Sequence, residues 1–155
     1  MPNATAIYLE SNVFIYAVEG TDEAAAPAKK LLSHIRAARP GGIVTSEITI
    51  AEVLAPAARE GALEVHLKRR IYLDLLVFSR IVELIPVSRD ILIETADLRK
   101  QAKLKLPDAI HVVSAIRAGC RHVVSNDRHL DRLPQGMTRI NPDMPGIDRL
   151  LEKIA

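Results

Sequence analysis

The stretch that decides the fold is LPDAIHVVSAIRAGCRHVVSNDRHL, residues 106–130. Pro107 suits the first position of a helix, where its missing N–H costs nothing, and Asp108 follows in the first turn, where the helix dipole favours a negative charge. Gly119 is a natural stop for this helix. Apolar residues surround the helix on nearly every side, so the pattern predicts a buried helix packed against a sheet.

A short internal strand follows at residues 122–125, and Asn126 and Asp127 stand where that strand ends. In open α/β sheets, ligands bind at the carboxyl edge of the strands. The stretch therefore delivers two carboxylates, those of Asp108 and Asp127, from two different elements of structure.

The rest of the chain alternates between strand-like and helical patterns. Apolar runs at residues 6–9, 43–45 and 81–85 predict three more buried strands, and residues 138–140 predict an edge strand. Helical spacing covers residues 13–18, 22–38, 47–58, 63–80, 88–104 and a terminal segment within 142–154. This order predicts an α/β fold of three layers, in which helices cover both faces of a central parallel sheet of four to five strands.

Size and composition favour one intracellular domain. The chain has 155 residues, 48% of them hydrophobic, so we expect a single domain over residues 1–155. A single cysteine, Cys120, excludes an intramolecular disulfide and a CxxC metal site. No apolar run approaches the roughly 20 residues that span a bilayer, and no signal peptide is evident, so a soluble, cytoplasmic protein is expected. A net charge of +2 permits a nucleic-acid partner without arguing for one.

Two more carboxylates stand at comparable places. Glu10 directly follows the first strand, and Glu52 lies in the third helix, where no residue three or four positions away offers a cation. All four acids can therefore converge at one edge. Carboxylates in one cleft repel one another unless a divalent cation that prefers oxygen compensates their charge, which makes Mg²⁺ or Mn²⁺ the natural candidate. Such a site can activate a water for cleavage of a phosphodiester.

Simpler structural roles compete with this interpretation. Asp108 can satisfy the helix dipole, and Asp127 can be a turn residue. His111 is a candidate general base, but a satisfied core histidine is favoured, and Cys120 is expected to be a buried small residue rather than a nucleophile. The basic segments at residues 68–70 and 99–105 indicate solvated faces, with RNA phosphate contacts as the alternative. Four polar residues are predicted to cap helices or orient carboxylates: Ser11, Asn12, Ser46 and Asn126.

Four pieces of the sequence together resemble one family: IYLESNVFIYAVEG (7–20), SEITIAEVLA (46–55), LPDAIHVVSAIRAGC (106–120) and VVSNDRHL (123–130). They resemble the PIN-domain ribonucleases, and within them the VapC toxins of toxin–antitoxin pairs, over almost the whole chain. The resemblance implies a PIN-like fold and an endoribonuclease that depends on Mg²⁺ or Mn²⁺. It also implies a homodimer, a cognate antitoxin as partner, and a structured RNA such as transfer RNA as substrate.

The same resemblance assigns roles to the acids. It makes Glu10, Asp108 and Asp127 the metal ligands, whereas Glu52 binds metal or positions the attacking water. The family usually has Asp where this chain has Glu10. An extra methylene moves a carboxylate by about 1 Å, whereas catalytic geometry is held to about 0.5 Å. We therefore expect reduced activity, and the alternative function is a weak or inactive PIN-like module that binds RNA or a protein.

Overall fold

The computed structural model describes residues 6–38, 42–55, 63–131, 133–134 and 136–154. Within these residues, the centre of the protein is a sheet of five parallel strands in the order β3-β2-β1-β4-β5. The strands are β1 (Ile7–Leu9), β2 (Ile43–Ser46), β3 (Val82–Ile85), β4 (His122–Val124) and β5 (Thr138–Ile140). The predicted strands are confirmed, and β5 lies at an edge as expected.

Helices in the described residues link or follow the strands. They are α1 (Ser11–Glu19), α2 (Ala26–Ala38), α3 (Ile48–Leu54), α4 (Val65–Leu73), α5 (Arg89–Gln101), α6 (Leu106–Arg117) and α7 (Met144–Ile154). Short 3₁₀ segments lie at Glu23–Ala25 and Arg128–Asp131, and a π-helical turn, Asp74–Phe78, follows α4. None of the helices in the described ranges is long and apolar enough to cross a membrane.

Helices cover both faces of the sheet. Successive side chains of a strand point to opposite faces, so each strand contributes to the core on both sides. Ile7 and Leu9 enter the larger core, which α1, α2 and α7 complete. Tyr8, between them, enters a second core that is completed by α6. The structure is thus the predicted three-layer α/β/α fold with a central parallel sheet.

The pairing of β1 with β4 positions the edge where the acids lie. Leu9 pairs with Val124, and the Glu10 N–H donates to the Val124 carbonyl at 3.1 Å. The residues that follow these two strands therefore lie side by side. As predicted, α6 is buried, with every residue from Ala109 to Ala115 shielded from solvent.

Several helix boundaries differ from the prediction. The α5 helix ends at Gln101 rather than near residue 104, because Ala102 adopts an extended backbone and residues 102–105 turn the chain into α6. The helix expected over residues 63–80 is instead α4 followed by the π-helical turn. The helix expected to reach residue 58 ends at Leu54, and residues 56–62 lie outside the described residues.

Candidate active site

The Glu10 carboxylate is held by two polar side chains, those of Asn12 in α1 and Ser125 directly after β4. The Glu10 side chain is buried, and Oε2 accepts hydrogen bonds from the Ser125 hydroxyl and from Asn12 Nδ2, the latter at 2.9 Å. Asn12 Nδ2 also lies 3.3 Å from Ser125 Oγ. Among the described residues, Oε1 receives no hydrogen bond. One oxygen of this carboxylate is therefore fixed while the other keeps its acceptor capacity.

The acids share one electrostatic environment. Burial raises the pKa of the Glu10 carboxyl, the hydrogen bond from Ser125 opposes this shift, and the charges of Asp108 and Asp127 add to it. Burial also raises the pKa of the Asp108 carboxyl, and the charge of Asp127 raises it further. Burial, together with the neighbouring negative charges, therefore makes the carboxylates of Glu10 and Asp108 costly to ionise in the protein alone.

Glu52 is bound to the protein interior by His111. Oε1 of Glu52 lies 2.5 Å from His111 Nε2, and Nδ1 of the same ring lies 2.6 Å from the Tyr8 hydroxyl. The Ser46 N–H donates to that hydroxyl oxygen at 3.1 Å, so we assign the phenolic proton to His111 Nδ1 and the ring proton to Nε2. Burial raises the pKa of Tyr8, which keeps the phenol protonated as this network requires.

This network accounts for Glu52, for which the sequence offers no cation three or four positions away. His111 is fully buried and hydrogen-bonded at both ring nitrogens, as expected of a satisfied core histidine, but one of its partners is Glu52. The Glu52 side chain remains 30% exposed, so its carboxylate is reachable from solvent while the imidazole orients it. His111 therefore acts on the site by positioning another residue.

Asp127 follows β4 on the same edge. Its Oδ1 accepts a hydrogen bond from the His129 N–H at 2.9 Å and lies 2.8 Å from His129 Nδ1. The Asp127 N–H donates to Ser125 Oγ at 3.0 Å. Ser125 thus contacts both Glu10 and Asp127, and it ties the ends of β1 and β4 into one arrangement.

The predicted supporting residues differ in their contacts. The α1 helix begins at Ser11 with Glu10 in the capping position, so the prediction that Ser11 or Asn12 caps this helix is wrong. The cause is that the chain passes directly from β1 into the helix, which leaves Asn12 free to turn toward Glu10. The capping position of α3 is taken by Glu47, so the prediction that Ser46 is the N-cap of this helix is also wrong, although Ser46 Oγ accepts from the Ile48 N–H at 3.2 Å just before it. Asn126 donates from Nδ2 to the Tyr16 hydroxyl at 2.7 Å.

The donor set suits an oxygen-preferring cation, although it is not closed. In the part of the chain that the structure describes, no three His, Cys, Asp or Glu side chains are grouped so that they could hold a metal ion as placed. Mg²⁺, however, usually keeps several waters and needs only one or two protein carboxylates. The mutual repulsion of Glu10, Asp108 and Asp127 is a charge imbalance that such a cation would relieve. The residues present therefore fit a hydrated divalent cation.

The two basic segments have different environments. The interpretation of Lys68 as part of a solvated face is wrong, because α4 turns this residue inward, where Nζ donates to the Ala55 carbonyl at 2.9 Å. Arg69 and Arg70 are exposed. At the other segment, Lys103 and Lys105 are exposed on the turn into α6, and the charge of Lys105 is close enough to lower the pKa of Asp108 against the raising effects of burial and Asp127.

Sequence reasoning missed several members of the site. Ser125 was assigned only to a strand, yet a hydroxyl at the end of an apolar strand, directly before Asn126 and Asp127, is a signal that could have indicated its role. The contacts of Tyr8 and His129 have no comparable signal. Cys120, by contrast, is buried as predicted, and burial raises the pKa of its thiol to about 12, which makes it a poor nucleophile.

Comparison with known families identifies the family of this chain. Residues 7–136 match the family model described as PIN domain. The chain belongs to the PIN-domain family. PIN domains are generally nucleases that use divalent metals.

Two solved structures of toxin–antitoxin proteins are similar to this PIN domain. A chain of a toxin–antitoxin complex from Klebsiella pneumoniae is 26% identical, with a TM-score of 0.64, and the match covers 88% of this chain and 98% of that one. A chain of VapBC2 from Rickettsia felis, solved bound to a DNA fragment from their promoter, is 19% identical with a TM-score of 0.63 and the same coverage. The second likeness shows the fold alone. A search of curated proteins gave no match.

Proposed function

We propose that the protein is a metal-dependent endoribonuclease of the VapC type, the toxin of a toxin–antitoxin pair. The observation that carries the proposal is the convergence of acids at one sheet edge, where the Ser125 hydroxyl contacts both the Glu10 carboxylate and the backbone N–H of Asp127, and where the charge of Asp127 adds to burial in raising the pKa of Asp108. Membership of the PIN family and the likeness to the Klebsiella complex support the same reading.

Each acid has a role within this proposal. Glu10, Asp108 and Asp127 would hold Mg²⁺ or Mn²⁺, which when bound lowers the pKa of a water and offsets charge that develops on the phosphate. Glu52, fixed by His111 and partly exposed, would accept the proton of the attacking water or orient it. In-line hydrolysis would leave a 5′-phosphate and a 3′-hydroxyl.

The charge around the acids supports an anionic polymer as substrate. Lys103 and Lys105 are exposed on the turn into α6, and the charge of Lys105 acts on Asp108, so both lysines can contact phosphates of the RNA near the acids. Because the net charge is only +2, such local contacts would matter more than a general basic field. A structured RNA such as transfer RNA remains the proposed substrate.

The partners are proposed on similar grounds. A groove of about 830 Å³ between α2, α4 and the π-helical turn is lined by apolar side chains together with charged Lys29, Arg36 and Asp74, and Phe78 at its edge is 69% exposed. Unfilled apolar surface of this kind is typical of an interaction site. We propose a two-fold homodimer and a cognate antitoxin whose tail crosses the acidic cleft. Light scattering that gives a monomer mass at micromolar concentration would contradict the dimer.

A non-catalytic PIN-like module that binds RNA or protein is the second candidate. It is favoured by Glu10 itself, whose carboxylate is drawn toward Ser125 and Asn12, and by the lack of a closed ligand set among the described acids. In such a module the acids would contribute to folding and to surface charge but would not catalyse RNA cleavage.

RNA cleavage separates the two candidates. The purified protein would be incubated with bulk transfer RNA, with Mn²⁺ or with EDTA, beside a matched Asp108→Asn variant. The nuclease predicts metal-dependent fragments that carry 5′-phosphates and that are absent with Asp108→Asn. RNA binding without any cleavage at millimolar Mn²⁺ would favour the module.

A further inference from the structure

A second cavity lies beside the acids, at the carboxyl ends of β4 and β5. It has a volume of about 630 Å³ and is bounded by residues from α1, the start of α2, the turn after β4 and the segment between β5 and α7. We call it the Asn126 pocket, after the residue that links it to the catalytic edge. Its volume is within the range of about 300–1,000 Å³ that is usual for small-ligand pockets.

The wall of the pocket is connected to Glu10 by hydrogen bonds. Asn126, in the wall, immediately precedes Asp127, and its N–H donates to Asn12 Oδ1 at 3.4 Å. The other end of that Asn12 amide donates to the Glu10 carboxylate at 2.9 Å. A ligand in the Asn126 pocket would therefore sit one side chain away from the acids proposed to cut RNA.

The sheet order puts the pocket and the basic turn on different sides of these acids. The α6 helix, which Lys105 precedes, packs against β2, whereas the pocket lies beyond β4 at β5. The strands that end at Glu10 and before Asp127 are β1 and β4, which stand between β2 and β5. An RNA strand running along this edge could contact Lys105 with its backbone and reach the Asn126 pocket with a base.

The pocket's chemistry suits an uncharged ring with a polar edge. Pro27, Pro142 and Met144 supply apolar surface, and the Tyr16 ring adds an aromatic one. The described lining includes the carboxylates of Glu23 and Asp143 but no lysine or arginine, so it would repel a phosphate.

The free hydrogen-bonding groups in the pocket define which polar edge of a ring can bind there. The Tyr16 oxygen accepts from Asn126 Nδ2, which leaves the phenolic proton to be donated. Asn141 uses its oxygen for Arg139 and one amide proton for Asp143, so a second amide proton remains. The amide oxygen of Asn126 and the carboxylate of exposed Glu23 are acceptors. The free donors can pair with an acceptor atom on the edge of any base, so the negatively charged carboxylates of Glu23 and Asp143 set the preference. They favour a base edge with an exocyclic amino group, which adenine, cytosine and guanine carry and uracil lacks.

We propose that the Asn126 pocket holds one unpaired nucleobase of the RNA, next to the phosphodiester that the acids cut, and favours bases with an exocyclic amino group. The proposal rests on the proposed function for its substrate class. It makes Asn126, Asn141, Tyr16 and Glu23 determinants of sequence preference, separate from the acids that carry the chemistry. Unstacked bases held on aromatic surface and read on their edges are the usual basis of sequence-specific RNA recognition.

The test uses uncharged nucleosides in the absence of metal, so that it does not depend on cleavage. Adenosine, cytidine and uridine would be titrated into ¹⁵N-labelled full-length protein, and the side-chain amide signals of Asn126 and Asn141 would be followed by NMR. We expect millimolar adenosine and cytidine to shift both signals and uridine to shift them far less.

Two matched variants on α2 locate the binding. Ala26→Phe fills the pocket and should weaken nucleoside binding by at least about tenfold, which corresponds to loss of one good base contact of about 1.4 kcal/mol. Ala37→Phe places the same side chain on an exposed position of the same helix, outside the pocket, and should bind like the parent.

The outcomes separate this proposal from the nuclease proposal. Absence of amide shifts with every nucleoside, or equal shifts in the Ala26→Phe variant, would overturn the pocket even if the protein cuts RNA. Equal shifts with uridine would overturn the selection of amino-bearing bases. Selective shifts in a protein that does not cut RNA would support the pocket while the nuclease proposal fails.

Discussion

His111 Nε2 lies 2.5 Å from Glu52 Oε1 and joins the buried core under α6 to the acidic edge of the sheet. The two residues are 59 positions apart in the sequence, and only the packing of α3 against α6 brings them together. Because the imidazole is fixed at its other nitrogen by Tyr8, Glu52 is held in one orientation rather than left to rotate in solvent.

Replacing His111 by Phe should lower kcat by on the order of tenfold or more, the effect of about 1.4 kcal/mol, and leave KM nearly unchanged. An aromatic ring of similar shape is kept, but Glu52 loses its orienting partner. A purely structural role would predict no coupling, whereas we expect Glu52→Gln to cost much less in the His111→Phe background than in the parent. Steady-state cleavage of RNA by the four proteins measures both effects.

The control for this variant lies one turn along the same helix. Ser114 is fully buried, and its hydroxyl has no hydrogen-bond partner among the described residues. Ser114→Ala should therefore retain cleavage and raise the melting temperature slightly, since an unsatisfied buried hydroxyl is removed. If Ser114→Ala lost as much cleavage as His111→Phe, α6 would tolerate no change. That result would contradict the claim that His111 positions Glu52.

Shortening Glu10 to Asp should raise metal-dependent cleavage by on the order of tenfold. The shorter side chain withdraws the carboxylate from Ser125 and Asn12 toward the position that the family pattern implies. The unfolding free energy without metal should fall by no more than about 1–2 kcal/mol, because two hydrogen bonds are stretched. Initial cleavage rates and urea denaturation give the two numbers, and an unchanged or lower rate would count against Glu10 as a ligand position.

Replacing Lys105 by Ala should weaken RNA binding several-fold and reduce the salt dependence by about one phosphate contact. The control is Lys30→Ala, which removes a lysine that pairs with Asp148 at 2.6 Å on the α2–α7 side of the molecule. Fluorescence anisotropy over a range of salt concentrations measures both slopes. Equal slopes for the parent and the Lys105 variant would remove this residue from the RNA path.

Cys120 should not react with thiol reagents in the folded protein at neutral pH. Its thiol is buried, and its pKa is raised to about 12, so almost none of it is present as the reactive thiolate. Addition of denaturant should expose it and restore ordinary reactivity. Rapid labelling of the native protein would show that the helix-ending turn at Gly119 opens readily.

The sequence predicted the fold well because its periodic signals are strong. The apolar run of α6 and the short strands around it have few alternative interpretations. Contacts between residues that are distant in the sequence could not be predicted. The bond of Ser125 to Glu10 depends on the register of β1 with β4, and the bond of His111 to Glu52 depends on how the helices pack. Lys68 was misassigned for a similar reason, since its inward direction is set by the rotation of α4 about its axis.

Binding of Mn²⁺, followed by calorimetric titration, tests the central claim that these acids form a metal site. We expect heat of binding in the parent and at least about tenfold weaker binding in Asp108→Asn, because a charge facing the cation is lost. Asp97→Asn, which removes an exposed acid of α5 paired with Lys100, should bind as the parent does. No uptake of Mn²⁺ by the parent at millimolar metal, or equal affinity in Asp108→Asn, would contradict the account.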